Sequence, residues 1–231
     1  MRPAMSHSWE ITPRQAIALQ EKLAAKNNLT SRCNLRRVTL VAGTDVSYSQ
    51  TTDMCYGGVV LWDYRRGKVT AEVTAVRRAR FPYVPGLLSF REMPVLVAAF
   101  AKLKSIPDLI VAEAHGLAHP RRFGLACHLG LFFDLPALGC AKTRLVGEYQ
   151  EPGDPYGSYS LLRYQDKTIG VVLRTRSGVK PVFVSQGHGI SLTQCRRAVL
   201  RLTGRFRMPN LLRRAHALAN ELRVDYESTE S

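Results

Sequence analysis

The hydrophobic and polar positions of the chain alternate in blocks that predict both helices and strands. Residues 12–15 (TPRQ) form a capping box with proline at the first helical position. The pattern behind them predicts a helix of three or four turns that ends near Asn27. Three β-branched runs follow at residues 37–49, 55–62 and 69–76. The turn at 64–67 between the last two indicates an antiparallel hairpin.

The second half of the chain alternates between helical and strand patterns. Residues 151–160 are rich in turn formers, and a second capping box at 191–194 opens a helix with one apolar side. The other predicted elements are a helix at 92–104, a strand at 108–113, a helix at 122–133, and strands at 137–141, 169–174 and 181–185. Three antiparallel strands followed by this alternation predict an α/β fold, a mixed β-sheet flanked by helices in a single domain. Residues 1–11 and 225–231 are expected to be flexible tails.

The net charge of the chain indicates the kind of molecule that it binds. The chain has 33 Lys and Arg against 18 Asp and Glu, so its formal net charge is +15, and its isoelectric point is about 10.1. Such an excess indicates a polyanionic partner, most often nucleic acid. A basic protein from a proteome of high isoelectric point is the alternative.

The cysteines and the apolar runs bear on location. The five cysteines are scattered and include no CxxC pair, which is typical of reduced thiols in a cytosol. No apolar run approaches the length of a membrane span, and the N-terminus lacks the apolar core of a signal peptide. We therefore expect a cytoplasmic protein.

Residues 108–130 carry the densest chemistry of the chain. The apolar run at 109–112 predicts a buried strand that ends on an acid, Glu113. A turn with two histidines and two arginines follows, at His115, His119, Arg121 and Arg122. Carboxylates hold hard cations and arginine holds phosphate, so the stretch indicates a site for metal-dependent phosphate chemistry.

Two further acids occupy comparable positions. Asp45 lies in the apolar strand VAGTDVSY, and Glu92 opens a predicted helix. Each taken alone has an ordinary explanation, a turn aspartate at a strand end and an acid in a first helical turn. Together with Glu113 they lie at the ends of elements that can converge on one edge of a sheet, where α/β proteins bind ligands.

Six segments together resemble the endonuclease V family, in its order and at similar spacing from about residue 15 to residue 220. PYVPGLLSFRE and AHPRRFG are the most specific of them. The segments are VAGTDVSY, FPYVPGLLSFRE, HGLAHPRRFGLACHLG, AKTRLVGEY, VSQGHGISL and RMPNLLRRAH.

The resemblance implies a ribonuclease H-like fold and Mg²⁺-dependent DNA repair chemistry, with Mn²⁺ able to substitute. The expected substrate is DNA carrying deoxyinosine, single- or double-stranded, and the expected protein is a monomer. The family hydrolyses the second phosphodiester bond 3′ to the lesion and leaves a 3′-hydroxyl and a 5′-phosphate. An endoribonuclease directed at inosine in RNA is an alternative.

Matching positions give the residues of the implied catalytic centre. Asp45, Glu92 and Glu113 would be the metal ligands. Lys142 would position water or stabilise the transition state, and its alternative is a surface lysine. His216 would lie close to the metal, as a ligand or as the holder of the attacking water, and its alternative is a histidine on a helix surface.

Matching positions also give a wedge and a base pocket. Tyr83 would enter the base stack from a loop stiffened by prolines, and the damaged base would flip into a pocket of small residues. The wedge loop contains Pro82 and Pro85, and the expected pocket consists of Gly86, Leu87, Ala114 and Gly116. The expected supports of the site are His119 and Arg121, and the expected phosphate contacts are Arg91, Arg122 and His188.

The chain departs from the family at Glu113-Ala114, where Asp-Gly is usual. Glutamate is one methylene longer, and Mg²⁺ requires near-ideal octahedral geometry. One possibility is that a backbone shift compensates for the longer side chain and the site is intact. The other is a protein that binds lesions and cleaves weakly, or prefers Mn²⁺ for cleavage. The chain also has Asn210-Leu211 where the family usually has an acid followed by proline, and we expect this difference to have no effect on function. A last alternative, independent of the family, is a zinc hydrolase with ligands His115, His119 and His128.

Overall fold

The computed structural model describes residues 1–229, and they form an eight-stranded mixed sheet with helices on both faces. The helices are α1 (Pro13–Lys26), α2 (Leu88–Ala101), α3 (Leu125–Phe133), α4 (Leu192–Leu202) and α5 (Asn210–Thr229). The strands are β1 (Leu40–Tyr48), β2 (Met54–Asp63), β3 (Lys68–Arg78), β4 (Leu109–Ala112), β5 (Ala137–Ala141), β6 (Tyr159–Tyr164), β7 (Lys167–Leu173) and β8 (Val182–His188). The predicted single α/β domain is confirmed.

The order of the strands determines where their ends meet. Across the sheet the order is β3-β2-β1-β4-β5-β8-β7-β6. The central strands β1, β4 and β5 are parallel, and every other pairing between neighbouring strands is antiparallel. The carboxyl ends of the three parallel strands therefore lie side by side at one edge, which we call the catalytic edge.

Two apolar layers cover the sheet. One packs α4 and α5 against Val41, Val111 and Val184, and the other packs α2 and α3 against Ala42 and Ile110. Alternate residues of β1 and β4 thus enter opposite cores, as the two-residue period of a strand requires. Burial on both faces explains why these strands are continuous apolar runs in the sequence.

Helix α5, which the sequence analysis did not predict, lies unusually close to the sheet because two strand positions are glycine. A Cβ at Gly43 would lie 2.8 Å from Leu211 Cγ, and a Cβ at Gly58 would lie 2.8 Å from the carbonyl oxygen of Ala215. Any larger residue at either glycine would push the helix away. This approach carries His216 to the catalytic edge.

Both expected tails are largely described by the structure, and the N-terminal one contacts the core. The Ala4 amide donates to the Phe132 carbonyl at 2.8 Å, and Met5 and Trp9 pack against the core of α2 and α3. At the other end α5 continues to Thr229. Residues 230–231 lie outside the described part of the chain. The flexibility expected for residues 1–11 and 225–229 stays a prediction.

Several boundaries differ from the predicted ones. Helix α2 begins at Leu88 rather than at residue 92, so Glu92 lies in its second turn and is buried. The strand β6, at the edge of the sheet, was assigned partly to a loop because it follows a turn-rich segment and is largely exposed. The five cysteines are free and buried. Within residues 1–229, no helix combines the length and the hydropathy that a bilayer crossing requires.

Candidate active site

The strand register brings two predicted residues of the site to one place. β1 pairs with β4 through Thr44 and Ala112, and β4 pairs with β5 through Ala112 and Gly139. The next residues along β1 and β4 are Asp45 and Glu113, so both carboxylates emerge at the catalytic edge. Lys142 follows directly after β5 and reaches the same place.

Asp45, Glu113 and His216 form a group that can hold a metal ion. One ligand atom from each lies within 4.8 Å of the others. The Asp45 and Glu113 side chains are 14% and 12% exposed, whereas the His216 side chain is 52% exposed, so the group is open on the side of α5. Two nearly buried carboxylates that lie close together repel each other. A hard divalent cation bound between them would offset this repulsion.

The acids show the electrostatic cost of this convergence. The pKa of Asp45 is raised to about 6: burial is the main cause, the charge of Glu113 adds to the rise, and the hydrogen bond from His216 opposes it. His216 Nδ1 lies 2.6 Å from Asp45 Oδ2, and Asn220 Nδ2 lies 3.1 Å from His216 Nε2. Asn220 Nδ2 can donate to His216 Nε2 while His216 Nδ1 donates to Asp45 Oδ2.

Glu92 reaches the same cluster from helix α2. Its side chain is buried and accepts a short hydrogen bond from the Tyr48 hydroxyl. The pKa of Glu92 is raised to about 8: burial is the main cause, the hydrogen bond from Tyr48 opposes the rise, and the charges of Asp45 and Glu113 add to it. A cation bound between these acids would favour their charged forms and so lower both pKa values.

We expect Glu92→Gln to stabilise the metal-free protein. A carboxyl whose folded pKa is about 8, against about 4.5 when unfolded, lowers the free energy of unfolding as pH rises between these values. The cost near pH 7 is on the order of 3 kcal/mol, and glutamine removes it. Thermal melts with a chelator should show a higher Tm for the variant at pH 8 and no difference at pH 4.5. A gain that does not depend on pH would contradict a buried Glu92 whose pKa is raised by folding.

Lys142 is held beside the carboxylates by contacts of both its side chain and its backbone. Its ammonium group makes a short ion pair with the Glu113 carboxylate. Its backbone carbonyl accepts from Arg207 Nη2 at 2.5 Å, and the same nitrogen donates to the Pro181 carbonyl at 2.7 Å. Arg207 therefore ties the end of β5 to the start of β8, and Lys142 stays beside the carboxylates.

A cavity of about 440 Å³ opens next to the carboxylates. This volume is in the range of pockets that bind small organic groups. Its two sides are the loop that contains Tyr83 and the loop after β5, and Glu113 lines it between them. The other lining residues include Pro85, Gly86, Leu88, Ser89, Ala114, His115, His119, Thr143, Arg144 and Leu145.

The Tyr83 loop is anchored through the carbonyl of Gly86. It accepts from Gln20 Nε2 at 3.2 Å and from Arg121 Nη2 at 2.8 Å, and His119 Nε2 lies 2.9 Å away. Burial lowers the pKa of His119 to about 4, so its ring is neutral and can donate one proton to this carbonyl. Gly86 has φ +78°, a left-handed conformation that only glycine adopts without strain.

Tyr83 projects from this anchored loop and is 71% exposed. Pro82 and Pro85 flank it and are also exposed. Arg91 holds the base of the loop, because its Nη1 donates to the Phe81 carbonyl at 2.7 Å and its Nη2 lies 3.4 Å from Asp53 Oδ1. An exposed aromatic on a stiff loop beside a cavity is the arrangement that a base-stack wedge requires.

Comparison with known proteins assigns the family. The family model described as Endonuclease V matches residues 19–217. The chain belongs to the endonuclease V family. The Endonuclease V of Dehalococcoides mccartyi strain BAV1 is 48% identical over 217 residues, which are 94% of this chain and 96% of that one.

Solved structures of the family share the fold. The Endonuclease V of Streptomyces avermitilis matches with a TM-score of 0.91 at 41% identity, over 97% of this chain and 98% of that one. An Endonuclease V variant of Ciona intestinalis, in complex with a 23-mer DNA containing an inosine followed by a ribo-adenosine, matches with a TM-score of 0.81 at 25% identity, over 91% and 98%. The ribonuclease H-like fold that the resemblance implied is thereby confirmed.

Not every residue expected from the family pattern lies at the site. The apolar wall of the cavity is Leu88, whereas Leu87 is 1% exposed and packs with Phe81 and Phe90. One helical position is a rotation of about 100°, so the neighbouring leucine faces the core. Gly116 does not line the cavity; a Cβ there would lie 2.0 Å from the Gln186 carbonyl oxygen.

Three expected phosphate contacts are already engaged or lie elsewhere. His188 is buried at the opposite edge of the sheet, where it pairs with Ala137 and bonds to Asn27. The strand β8 runs antiparallel to β5, which is why its end lies away from the catalytic edge. Arg122 does not line the cavity, and its Nε is buried without a partner. Arg91 supports the loop instead of reaching outward.

The zinc alternative is wrong for the described residues. His128 Nε2 lies 2.8 Å from His7 Nε2, and His119 Nε2 lies 2.9 Å from the Gly86 carbonyl oxygen, so both rings already have partners. The group capable of holding a metal in this part of the chain contains neither His119 nor His128.

Sequence reasoning missed the residues that support the site. Tyr48, Gln20 and Asn220 hold Glu92, the Gly86 carbonyl and His216, respectively. Asn220 follows His216 by four residues, so helical spacing would have pointed to it had α5 been predicted. Gln20 donates to a carbonyl 66 residues away in sequence, and no local pattern indicates such a contact.

Proposed function

We propose that this chain is a Mg²⁺-dependent endonuclease of DNA repair that hydrolyses the second phosphodiester bond 3′ to deoxyinosine. The products are a 3′-hydroxyl and a 5′-phosphate. The observation that carries the proposal is the meeting of Asp45, Glu113 and His216 beside a cavity bordered by Tyr83. The name shared by relatives, and the inosine-containing DNA bound to the Ciona protein, support it.

The residues of the site fit a divalent cation. Asp45 and Glu113 would hold it, with Glu92 behind them, and the raised pKa values of Asp45 and Glu92 record the charge that it would neutralise. When bound, Mg²⁺ supplies charge neutralisation at the phosphate and an acidified water. Mn²⁺ is expected to substitute because it accepts the same oxygen ligands.

Side chains of the site supply the other parts of the hydrolysis. The exposed ring of His216, fixed between Asp45 and Asn220, would position the water that attacks phosphorus. The bond from phosphorus to the 3′ oxygen breaks, and that oxygen gains a proton. Lys142 would offset the charge that grows on the phosphate, since it stands 45% exposed at the mouth of the site.

The cavity would receive the flipped base. Hypoxanthine lacks the exocyclic amine of guanine, so small lining residues and backbone groups can read its edge. Gly86 and Ala114 line the cavity with little side chain. The neutral ring of His115 also lines it, because burial lowers the pKa of His115 to about 4.

Tyr83→Ala is expected to weaken cleavage of inosine-containing duplex about tenfold, because stacking of an aromatic side chain on a base contributes about 1–3 kcal/mol. Tyr83 is largely exposed, so the fold should not change. Steady-state kinetics should show most of the loss in KM. The matched variant Tyr83→Phe retains the ring and should retain activity. A loss as large in the phenylalanine variant would point to the hydroxyl and refute the wedge.

One assay tests the proposal as a whole. Inosine-containing single-stranded DNA, duplex DNA and RNA are compared for nicking in Mg²⁺ and in Mn²⁺, and the cut is mapped by the length of the product. We expect cleavage of DNA at the second bond 3′ to inosine and none of the matched adenine control. Preferential cleavage of inosine RNA would favour the ribonuclease alternative. The free, buried cysteines support a reducing cytoplasm as the place of action.

A further inference from the structure

A second concentration of positive charge lies at the edge of the sheet opposite the carboxylates. We call it the arginine groove; its floor is Val38 and Tyr64, and its sides are Arg36, Arg65, Arg197 and Arg201. Along β2, Gly58 pairs with Asp45 at the catalytic edge, and the strand ends at Asp63. Tyr64 is thus six residues from Gly58, or about 20 Å of extended chain.

The arginines of the groove lack acidic partners. All four are exposed, and none has a carboxylate within 4.0 Å in residues 1–229. The acids of this edge are already used by backbone amides: Asp63 accepts from Arg65 and Arg66, and Asp108 accepts from Thr39 and Leu40. Exposed Arg37 and Lys68 add to the charge, whereas Arg66 lies 3.9 Å from Asp63. Asp63 and Asp108 offset part of this charge, and the groove keeps an excess of cations.

The groove is also held in shape. Arg201 Nε donates to the Tyr64 carbonyl at 3.2 Å, and its guanidinium lies 4.9 Å from the centre of the Tyr64 ring. Arg65 Nη2 donates to the Arg36 carbonyl at 3.3 Å. Arg197 and Arg201 are one turn apart on α4, where like charges destabilise a helix slightly. A bound polyanion would relieve this repulsion.

The nature of the groove favours a duplex backbone over single strands. Proteins that bind single strands present exposed aromatic rings for base stacking. The aromatic of this groove, Tyr64, is 6% exposed and lies beneath Arg201. Guanidinium groups without an exposed ring recognise phosphates, and that recognition is independent of sequence and of lesions.

We propose that the arginine groove binds the phosphate backbone of a second, undamaged segment of duplex DNA. The two edges face opposite ways, and duplex DNA has a persistence length of about 150 base pairs, so one short duplex does not serve both. A molecule on one segment can then contact another before it releases the first. The proposal concerns a surface separate from the cleavage site and does not depend on the assigned cleavage reaction.

The test compares two triple variants with the same loss of charge. The first variant, Arg36→Gln/Arg65→Gln/Arg197→Gln, removes three of the four positive charges of the groove. It retains the contact of Arg201 with the Tyr64 ring. Lys22→Gln/Lys104→Gln/Lys167→Gln removes three exposed lysines dispersed over the surface. Fluorescence anisotropy of a labelled undamaged duplex gives the affinity of each protein between 50 and 200 mM salt. Circular dichroism melts establish that both variants fold.

The groove variant should lose about three phosphate contacts, so its slope of log K against log salt should be shallower by about 2.7. The dispersed variant should keep most of the slope. Single-turnover nicking of a short inosine oligonucleotide should be the same in wild type and groove variant. Equal changes in both triple variants, or single-stranded DNA that competes as well as duplex in the wild type, would overturn the proposal.

Discussion

Asp45→Ala is expected to abolish cleavage of inosine-containing DNA, with a fall in kcat of at least about 10³-fold, which corresponds to about 4 kcal/mol of transition-state stabilisation. The Asp45 carboxylate contacts His216 directly. It also lies within 4.8 Å of a ligand atom of Glu113. Alanine removes a metal ligand and also frees the His216 ring. Binding of the substrate should remain measurable in Ca²⁺, since the wedge and the cavity are untouched.

The stability of this variant provides an internal check. The raised pKa of Asp45 means that its charge opposes folding, so alanine should leave the Tm of the metal-free protein equal or higher at neutral pH. The matched control is Asp225→Ala, an exposed carboxylate on the same helix as His216. The control removes the same charge and should cleave normally. Unchanged cleavage by Asp45→Ala would refute the assigned site.

Glu113→Asp is expected to lower cleavage in Mg²⁺ about 100-fold, although aspartate is the usual residue of the family at this position. The Glu113 carboxylate already reaches Lys142, Asp45 and His216 from its place after β4. Aspartate would withdraw it by about 1 Å, and displacement of a reacting group on this scale costs about 10²-fold. Mn²⁺ should restore part of the activity if it tolerates less regular geometry than Mg²⁺.

Glu113→Gln separates length from charge. It keeps the reach of the side chain and removes the charge, so it should lose activity in Mg²⁺ and in Mn²⁺ alike. Wild-type cleavage rates in both metals provide the reference. If Glu113→Asp instead raises activity, glutamate is a handicap, and the alternative of a lesion-binding protein with weak cleavage is favoured.

Most of the fold followed from periodicity. The strands at 37–49, 55–62 and 108–113 carry β-branched or continuous apolar runs, and the structure has β1, β2 and β4 there. Helix α5 was missed for a physical reason. After Leu211 and Leu212 its buried positions are the small residues Ala215 and Ala219, so its apolar period is weak beyond the first turn; glycines in β1 and β2 let it approach the sheet closely.

The site could be predicted only from several residues considered together. Asp45, Glu92 and Glu113 each have ordinary explanations, and only their order along the chain with the Tyr83 loop distinguished them. Some placements depend on geometry that no motif contains. Leu87 directly precedes Leu88 but faces the core, and His188 lies at the far end of a strand whose direction the motif does not reveal.

The family, the single α/β domain, the acids and the loop with Tyr83 followed from the sequence alone, because these are properties of residue types and of short periods. The tertiary structure decided which groups meet. It brought His216 to Asp45 across 171 positions, placed the Tyr48 hydroxyl on Glu92, and left the arginine groove at the opposite edge. Contacts of this kind depend on strand order and on the approach of helices, which are set by packing between distant segments.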